Sequence, residues 1–342
     1  MSGDWPSAGR ALLLERHEPD AATAIRGLRV VQRPVPRPRR GQVLVRIEAA
    51  PCNPSDLLFL QGRYGVSKSL PTVPGWEGAG TVVASGGGWL ARRLVGRRVA
   101  CGGQMEGDGT WAEYYLVQAS GCVPLRRGVD VEHGATLLIN PLTAIGLIEV
   151  ARRAGARAAM QTAAASQVGR MIVRLGRDAG LPLVNVVRRA EQVELLRSIG
   201  AEHVLDSSSD EFEDQARRLC AELGVTVVFE AVAGDMTGRL LSCMPRGARA
   251  VVYGALSEAA CSDIDPIGVI FHDKRIEGFY LGSWVRTRGL LRTLRAVSRV
   301  QRLVSGGGFD TPIQRNVGLD DAVLGLLQYQ RHMTDGKVLI RP

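Results

Sequence analysis

The residues from Arg157 to Arg189, RAAMQTAAASQVGRMIVRLGRDAGLPLVNVVRR, have the types and spacing needed to hold a nucleotide pyrophosphate. Ala158 to Ala163 is a short apolar run of the kind that forms a buried parallel strand. Ala163, Ala164, Ala165 and Ser166 then offer almost no side-chain bulk, so backbone can approach a phosphate there. Gly169 lets the following helix lie close to the strand. That helix carries Val168, Met171, Ile172 and Leu175 at the spacing of one buried face, and its start, Ala165, Ser166, Gln167, Val168 and Gly169, is expected to face the phosphates. A second strand, Leu183 to Val187, ends where a carboxylate would accept hydrogen bonds from both ribose hydroxyls of NAD. Arg188 and Arg189 stand there instead, and their planar cations suit a 2′-phosphate, so the cofactor is read as NADPH. A GxGxxG reduced to one glycine equally describes an ordinary βαβ unit, and the decision needs residues elsewhere.

Such a turn requires a sheet to carry it. Beyond the opening βαβ, strand and helix alternate: a helix at Glu191 to Ile199, the strand HVLD, a helix at Glu211 to Leu223, the strand VTVVFEAV, a helix at Thr237 to Met244, the strand ARAVVYGA and the strand RIEGFYL from Arg275 to Leu281. Short connections between them argue for a parallel sheet covered on both faces. Before this region, Ala11 to about Val123 reads as mostly β: QVLVRIEAAP alternates, GAGTVVASG is β-branched, and GRRVACGG and WAEYYLVQ follow with glycine punctuation. A helical portion runs from Val131 to Ala151 around Pro141. The tail, 288–342, holds a long helical segment, a turn at Gly306 to Gly308, a helix at Leu319 to Gln330 and the terminal strand KVLIRP. A last strand must pair somewhere. Its return to the N-terminal β domain would leave the nucleotide domain inserted, with a ligand cleft between the two.

Composition narrows the class. At 342 residues and 45% hydrophobic content the chain has material for roughly two domains. No run approaches the ~20 apolar residues that span a bilayer. The opening MSGDWPSAGRALLLERHEP lacks the order of a signal peptide, so a cytoplasmic protein with no membrane partner is expected. Six cysteines, Cys52, Cys101, Cys122, Cys220, Cys243 and Cys261, form no CxxC pair, which points to reduced thiols rather than a zinc knot or disulfides. The formal charge of +9 is the excess of 43 basic over 34 acidic residues, and only Lys68, Lys274 and Lys337 of the basic ones are lysines. The arginines are scattered in pairs such as Arg92-Arg93, Arg152-Arg153 and Arg217-Arg218. The densest run, RPVPRPRRG from Arg33 to Gly41, reads as a solvated loop, and nucleic acid is not expected as a partner.

Seven segments, one of them within the stretch above, stand out: NPSDLLFLQGRYG at Asn53 to Gly65, PGWEGAGTVV at Pro74 to Val83, GTWAEY at Gly109 to Tyr114, NPLTA at Asn140 to Ala144, QTAAASQVG at Gln161 to Gly169, GAEHVL at Gly200 to Leu205 and FHDKRIEGFYLGSW at Phe271 to Trp284. Together they resemble the zinc-free branch of the medium-chain dehydrogenase/reductase superfamily, which includes quinone oxidoreductases and trans-2-enoyl thioester reductases. Within it the chain is most similar to NADPH-dependent mitochondrial-type 2-enoyl thioester reductases. The resemblance implies a doubly wound Rossmann domain, 129–286, inserted into a mostly β GroES-like catalytic domain, 1–128, to which 287–342 returns. It implies no metal: Gly75, Trp76 and Glu77 stand where zinc enzymes have GHE, and Cys52 alone makes a poor site.

Site residues carry over one by one. Tyr64 matches the family's catalytic tyrosine, and its phenol could donate to the substrate carbonyl or protonate Cα; it could also only anchor its loop. Trp76 lies against the substrate or fills space. Asn53 and Thr143 resemble contacts to the nicotinamide ribose and carboxamide, or serve as cap and turn residues. Tyr253 and Gly254, with Phe279 to Leu281, resemble the lining of the nicotinamide pocket, and Lys337 resembles a cofactor-proximal lysine. The expectation is an NADPH-dependent reductase of an activated C=C bond, acting on a 2-enoyl thioester of CoA or acyl carrier protein. The alternatives are a quinone or enone reductase and, in another class, a non-catalytic NADPH- or nucleic-acid-binding protein. RIEGFYL at a sheet edge predicts a homodimer.

Overall fold

β-branched and small residues set the two large sheets of this computed structural model, beside a two-stranded one of Ala8–Leu13 and Arg29–Pro34; the structure describes residues 6–103 and 105–342, and residues 1–5, the start of the stretch read as lacking a leader, lie outside the described residues. The chain divides into two units, 1–139 with 297–342, and 140–296.

In the first unit the strand Gln42–Pro51 is central. Val43, Leu44, Val45 and Ile47 are all buried. It pairs antiparallel with Glu77–Ser85 and Tyr114–Gln118, and through Ala50 and Pro51 with the terminal strand Lys337–Arg341. Glu77–Ser85 continues to Arg98–Gly102 and then Cys122–Pro124. A strand that the sequence pattern did not reveal, Ile313–Gly318, pairs parallel with the terminal strand. Three short helices also interrupt the stretch read as β: Ala21–Arg26, Pro54–Leu60 and Trp89–Leu94. Local chemistry explains the first two. The Asp20 carboxylate accepts from the Thr23 N–H at 2.7 Å, and Pro54 at the first helical position follows Asn53, whose own N–H is accepted by Asp56 at 2.7 Å.

In the second unit six parallel strands lie in the order third, second, first, fourth, fifth, sixth, counted along the chain: Ala158–Gln161, Leu183–Val187, His203–Asp206, Val225–Glu230, Arg249–Val252 and Arg275–Gly278. This is the doubly wound order, whose direction reverses between the first and fourth strands, and ligands bind such sheets outside the carboxyl ends at that reversal. The sixth strand ends at Gly278, not Leu281 as the pattern suggests. Its partner ends at Val252, opposite Gly278, so pairing runs out, and Leu281 opens the helix Leu281–Arg288. Pro141 is accommodated in the first turn of Ile139–Arg153.

The helix Gln167–Ala179 packs onto the first strand because Gly169 has no side chain: a Cβ there would lie 2.3 Å from the Ala164 carbonyl oxygen. Gly169→Ala is therefore expected to destabilise the chain by about 1–3 kcal/mol. Thermal unfolding should show a Tm lowered by several degrees; an unchanged Tm would mean that the contact relaxes freely.

Candidate active site

At the reversal point of the parallel sheet, the two central strands are tied at their carboxyl ends. The Thr162 N–H donates to the Phe229 carbonyl at 3.0 Å, its hydroxyl donates to Glu230 at 3.1 Å, and the Ala231 N–H donates back to that hydroxyl at 2.8 Å. Glu230 is fully buried and also accepts from the Val232 and Ala233 N–H groups and the Thr237 hydroxyl. These bonds fix the rim on which a ligand would rest.

The turn Thr162–Ser166 enters the next helix. Ala163 adopts φ +48°, the left-handed region that glycine usually supplies, so the backbone shape is kept at the cost of strain. The Ser166 hydroxyl caps the helix by accepting from the Gly169 N–H at 3.1 Å. The earlier N–H groups, at Gln167 and Val168, have no intrahelical acceptor by geometry. Gln167 is 4% exposed, and neither polar atom of its amide has a partner among the described residues. A bare helix start beside an orphaned buried amide is a fit for the phosphates of a dinucleotide. Arg188 and Arg189 are exposed just past the second strand, and Arg189 pairs with Glu191 at 3.0 Å.

Elsewhere in this unit, Tyr253 follows the fifth strand with a buried hydroxyl that has no partner among the described residues, and burial pushes it up. Gly254 comes next, facing Ala231, where a Cβ would lie 2.7 Å from the carbonyl oxygen. Thr143 is 9% exposed on Ile139–Arg153. Phe279 packs on Gly146 and lies 6.5 Å from the Trp284 ring, and Leu281 is half-buried.

The first unit brings Asn53, Tyr64, Trp76 and Lys337 into one region. Tyr64 and Trp76 have ring centroids 5.1 Å apart, with Phe59 edge-on to Trp76 at 5.2 Å. Lys337 is 2% exposed and uses all three donors internally: to the Cys52 carbonyl at 3.0 Å, to Asn53 Oδ1 at 2.6 Å and to the Tyr329 hydroxyl at 3.1 Å. None of its three donors is left to contact a ligand directly. Asn53 in turn donates through Nδ2 to Glu77 at 3.0 Å, and Glu77 accepts from the Leu138 and Ile139 N–H groups at 3.0 and 2.9 Å.

Sequence reasoning missed Asp56, Glu77 and Lys68 as members of this site. The Asn-Pro-Ser-Asp spacing, a cap with an acid at its third helical position, was the available signal for Asp56. Lys68 sits with its ammonium 4.7 Å from the Trp76 ring centre. Burial pushes its amine down to about 8, against the pull of Asp108 and Asp56. No group of three or more histidine, cysteine or acidic residues able to hold a metal occurs among the described residues. Cys52 is buried beside Asn53, and burial pushes its thiol well above its ordinary value, which does not fit a zinc ligand.

Two family models match the chain: an alcohol dehydrogenase GroES-like domain over residues 39–127 and a zinc-binding dehydrogenase over residues 168–296. A mitochondrial enoyl-[acyl-carrier-protein] reductase of Caenorhabditis elegans is 30% identical over 278 residues, covering 79% of this chain and 78% of that protein. The human protein of the same description is 27% identical over 330 residues, covering 92% and 84%. The crystal structure of a putative NADPH:quinone reductase from Mesorhizobium loti superposes with a TM-score of 0.92 at 35% identity, covering 99% of this chain and 100% of that one.

Asp56 supplies a test of the buried cluster. It is 0% exposed, one of its oxygens has no partner among the described residues, and burial raises its pKa from 3.8 to about 7, against the bonds it accepts from Asn53 and Trp76. Between about pH 4 and pH 7 the folded chain keeps a proton that the unfolded chain has released, so stability falls as pH rises through that window. Denaturant unfolding from pH 4 to 8 should show this decline in the wild type. Asp56→Asn should flatten it; an equal decline in both would exclude Asp56 as its source.

Proposed function

The chain belongs to the medium-chain dehydrogenase/reductase superfamily, and on that premise we propose that it is an NADPH-dependent, zinc-independent oxidoreductase that reduces the activated C=C bond of a 2-enoyl thioester. In this reading 129–286 binds the cofactor and 1–128 with 287–342 binds and activates the substrate. The capped helix start at Ser166 with the orphaned Gln167 amide carries the reading. Residues Ala165 to Gly169 would hold the pyrophosphate, Arg188 and Arg189 the 2′-phosphate, and Tyr253, Gly254, Phe279, Leu281, Thr143 and Asn53 the nicotinamide half. NADPH would supply a hydride there. The protein's share would be to hold the thioester carbonyl and provide a proton, a role assigned in this reading to Tyr64, whose ring packs against Trp76.

A quinone or enone reductase is the second reading, favoured by the 35% identity to the Mesorhizobium loti protein. NADPH oxidation with crotonyl-CoA and with a simple quinone, side by side and with NADH as control, separates the two. Turnover of crotonyl-CoA by NADPH is expected, and Arg188→Ala with Arg189→Ala should erode the preference over NADH at least several-fold. Quinone turnover alone would replace the enoyl reading, and an unaltered NADPH/NADH ratio would remove the arginines from the phosphate site.

All six cysteines are free and five are buried, which supports a reducing, cytoplasmic setting. No helix among the described residues is long and apolar enough to cross a membrane. The edge strand Arg275–Gly278 leaves its outer backbone groups without a strand neighbour, and Ile276 on it, with Ile267, Val269, Ile270 and Phe271 on the preceding helix Pro266–His272, is exposed. A second copy of the same edge would cover these apolar groups about a twofold axis, giving a homodimer. Light scattering at micromolar concentration should give twice the chain mass; a monomer would remove the idea.

A further inference from the structure

Among the described residues, Lys68 is a cation with no anion in contact. It stands four residues beyond Tyr64 on the same loop, partly buried, with its ammonium held 4.7 Å over the Trp76 indole, against which the Tyr64 ring also packs. The two carboxylates whose charge reaches it, Asp108 and Asp56, make no ion pair with it, and Asp56 keeps one oxygen without a partner among the described residues. Asp108 bonds Arg33 at 3.1 Å and the Val73 N–H at 3.0 Å, and Asp56 accepts from the Asn53 and Trp76 N–H groups. Among the described residues no acceptor lies within hydrogen-bond or ion-pair distance of the Lys68 ammonium. A charge taken from water with no partner costs stability unless a ligand completes it. Arginine is the usual cation of this chain, and beside the proposed proton donor stands one of its three lysines, a flexible point charge.

We propose that Lys68 is the oxyanion-binding residue of the reaction, its ammonium donating a hydrogen bond to the thioester oxygen as negative charge develops there. The inference rests on the enoyl thioester reading. Bound NADPH would supply the hydride to Cβ; the C=C electron pair would then move to form the Cα=C(O⁻) enolate of the substrate, and Lys68 would stabilise that oxygen. A proton from Tyr64 or water then bonds to Cα, the carbonyl re-forms and NADP⁺ remains. Tyr64 is thereby released from carrying both roles, the proton and the oxyanion. Because the amine lies near 8, the ammonium is lost as pH rises through that value, and kcat/KM should fall with it.

The test uses the chain with bound NADP⁺ and acetoacetyl-CoA, whose enolate has its own near-ultraviolet band, so enolate stabilisation is read without turnover. Wild type should form the enolate at lower pH than free solution does. Lys68→Met should lose most of that band and lower kcat/KM for crotonyl-CoA roughly 100-fold, with unchanged NADPH affinity, an undiminished Tm and no falling limb near pH 8. Lys68→Arg should regain part of the activity and move the limb upward. Tyr64→Phe should keep the enolate band while losing turnover. A Lys68→Met chain with an unchanged band and rate overturns the assignment, as does a lost rate accompanied by a lowered Tm and a retained band. A wild type that neither binds acetoacetyl-CoA nor turns over crotonyl-CoA overturns the substrate reading instead.

Discussion

A buried ammonium must find three acceptors, and in the first unit that requirement falls on Lys337. Its acceptors come from the corner after the central strand, Cys52 and Asn53, and from the helix Ala322–Arg331 through Tyr329. Meeting it fixes the terminal strand against Gln42–Pro51, and it fixes which way the Asn53 amide points: the oxygen faces Lys337, so the nitrogen faces Glu77. Glu77 is pulled the same way, since its other oxygen closes on two backbone N–H groups at the start of a helix. Burial drives this carboxyl up and the Lys337 amine down, each toward neutrality. Removing one member would strand the next.

The parallel sheet shows a different economy. Its parallel character was legible because most of its strands are short apolar runs that alternate with helices, so local pattern and global topology agree. The strand Leu183–Val187 was readable to the residue. What sequence could not show was how the glycine-poor turn keeps its shape. Ala163 takes the left-handed conformation and Ser166 supplies the cap, two substitutions for one missing motif.

The first unit was less legible. Ala21–Arg26 and Pro54–Leu60 are six and seven residues long, too short for a helical period to emerge from the alternation around them, and their signals are the caps Asp20 and Asn53. Ile313–Gly318 is half polar because it lies at a sheet edge, so its strand character depends on the partner it meets. The site divides in the same way. Asn53, Tyr64 and Trp76 could be named from their matching segments, and Lys337 from its place in the tail. The partners that orient them could not, because Glu77, Tyr329 and the 138–139 backbone reach them only through folding.

The three lysines carry one more consequence. Lys337 is enclosed, Lys68 lies over an indole, and Lys274 is partly buried and donates to the Leu241 carbonyl at 2.6 Å. The outer surface thus owes its positive charge almost wholly to guanidinium groups, which neither titrate below about pH 12 nor act as nucleophiles. Reagents that acylate or crosslink side-chain amines would find little to modify on the exterior of this chain, and those that react would be reporting on its interior.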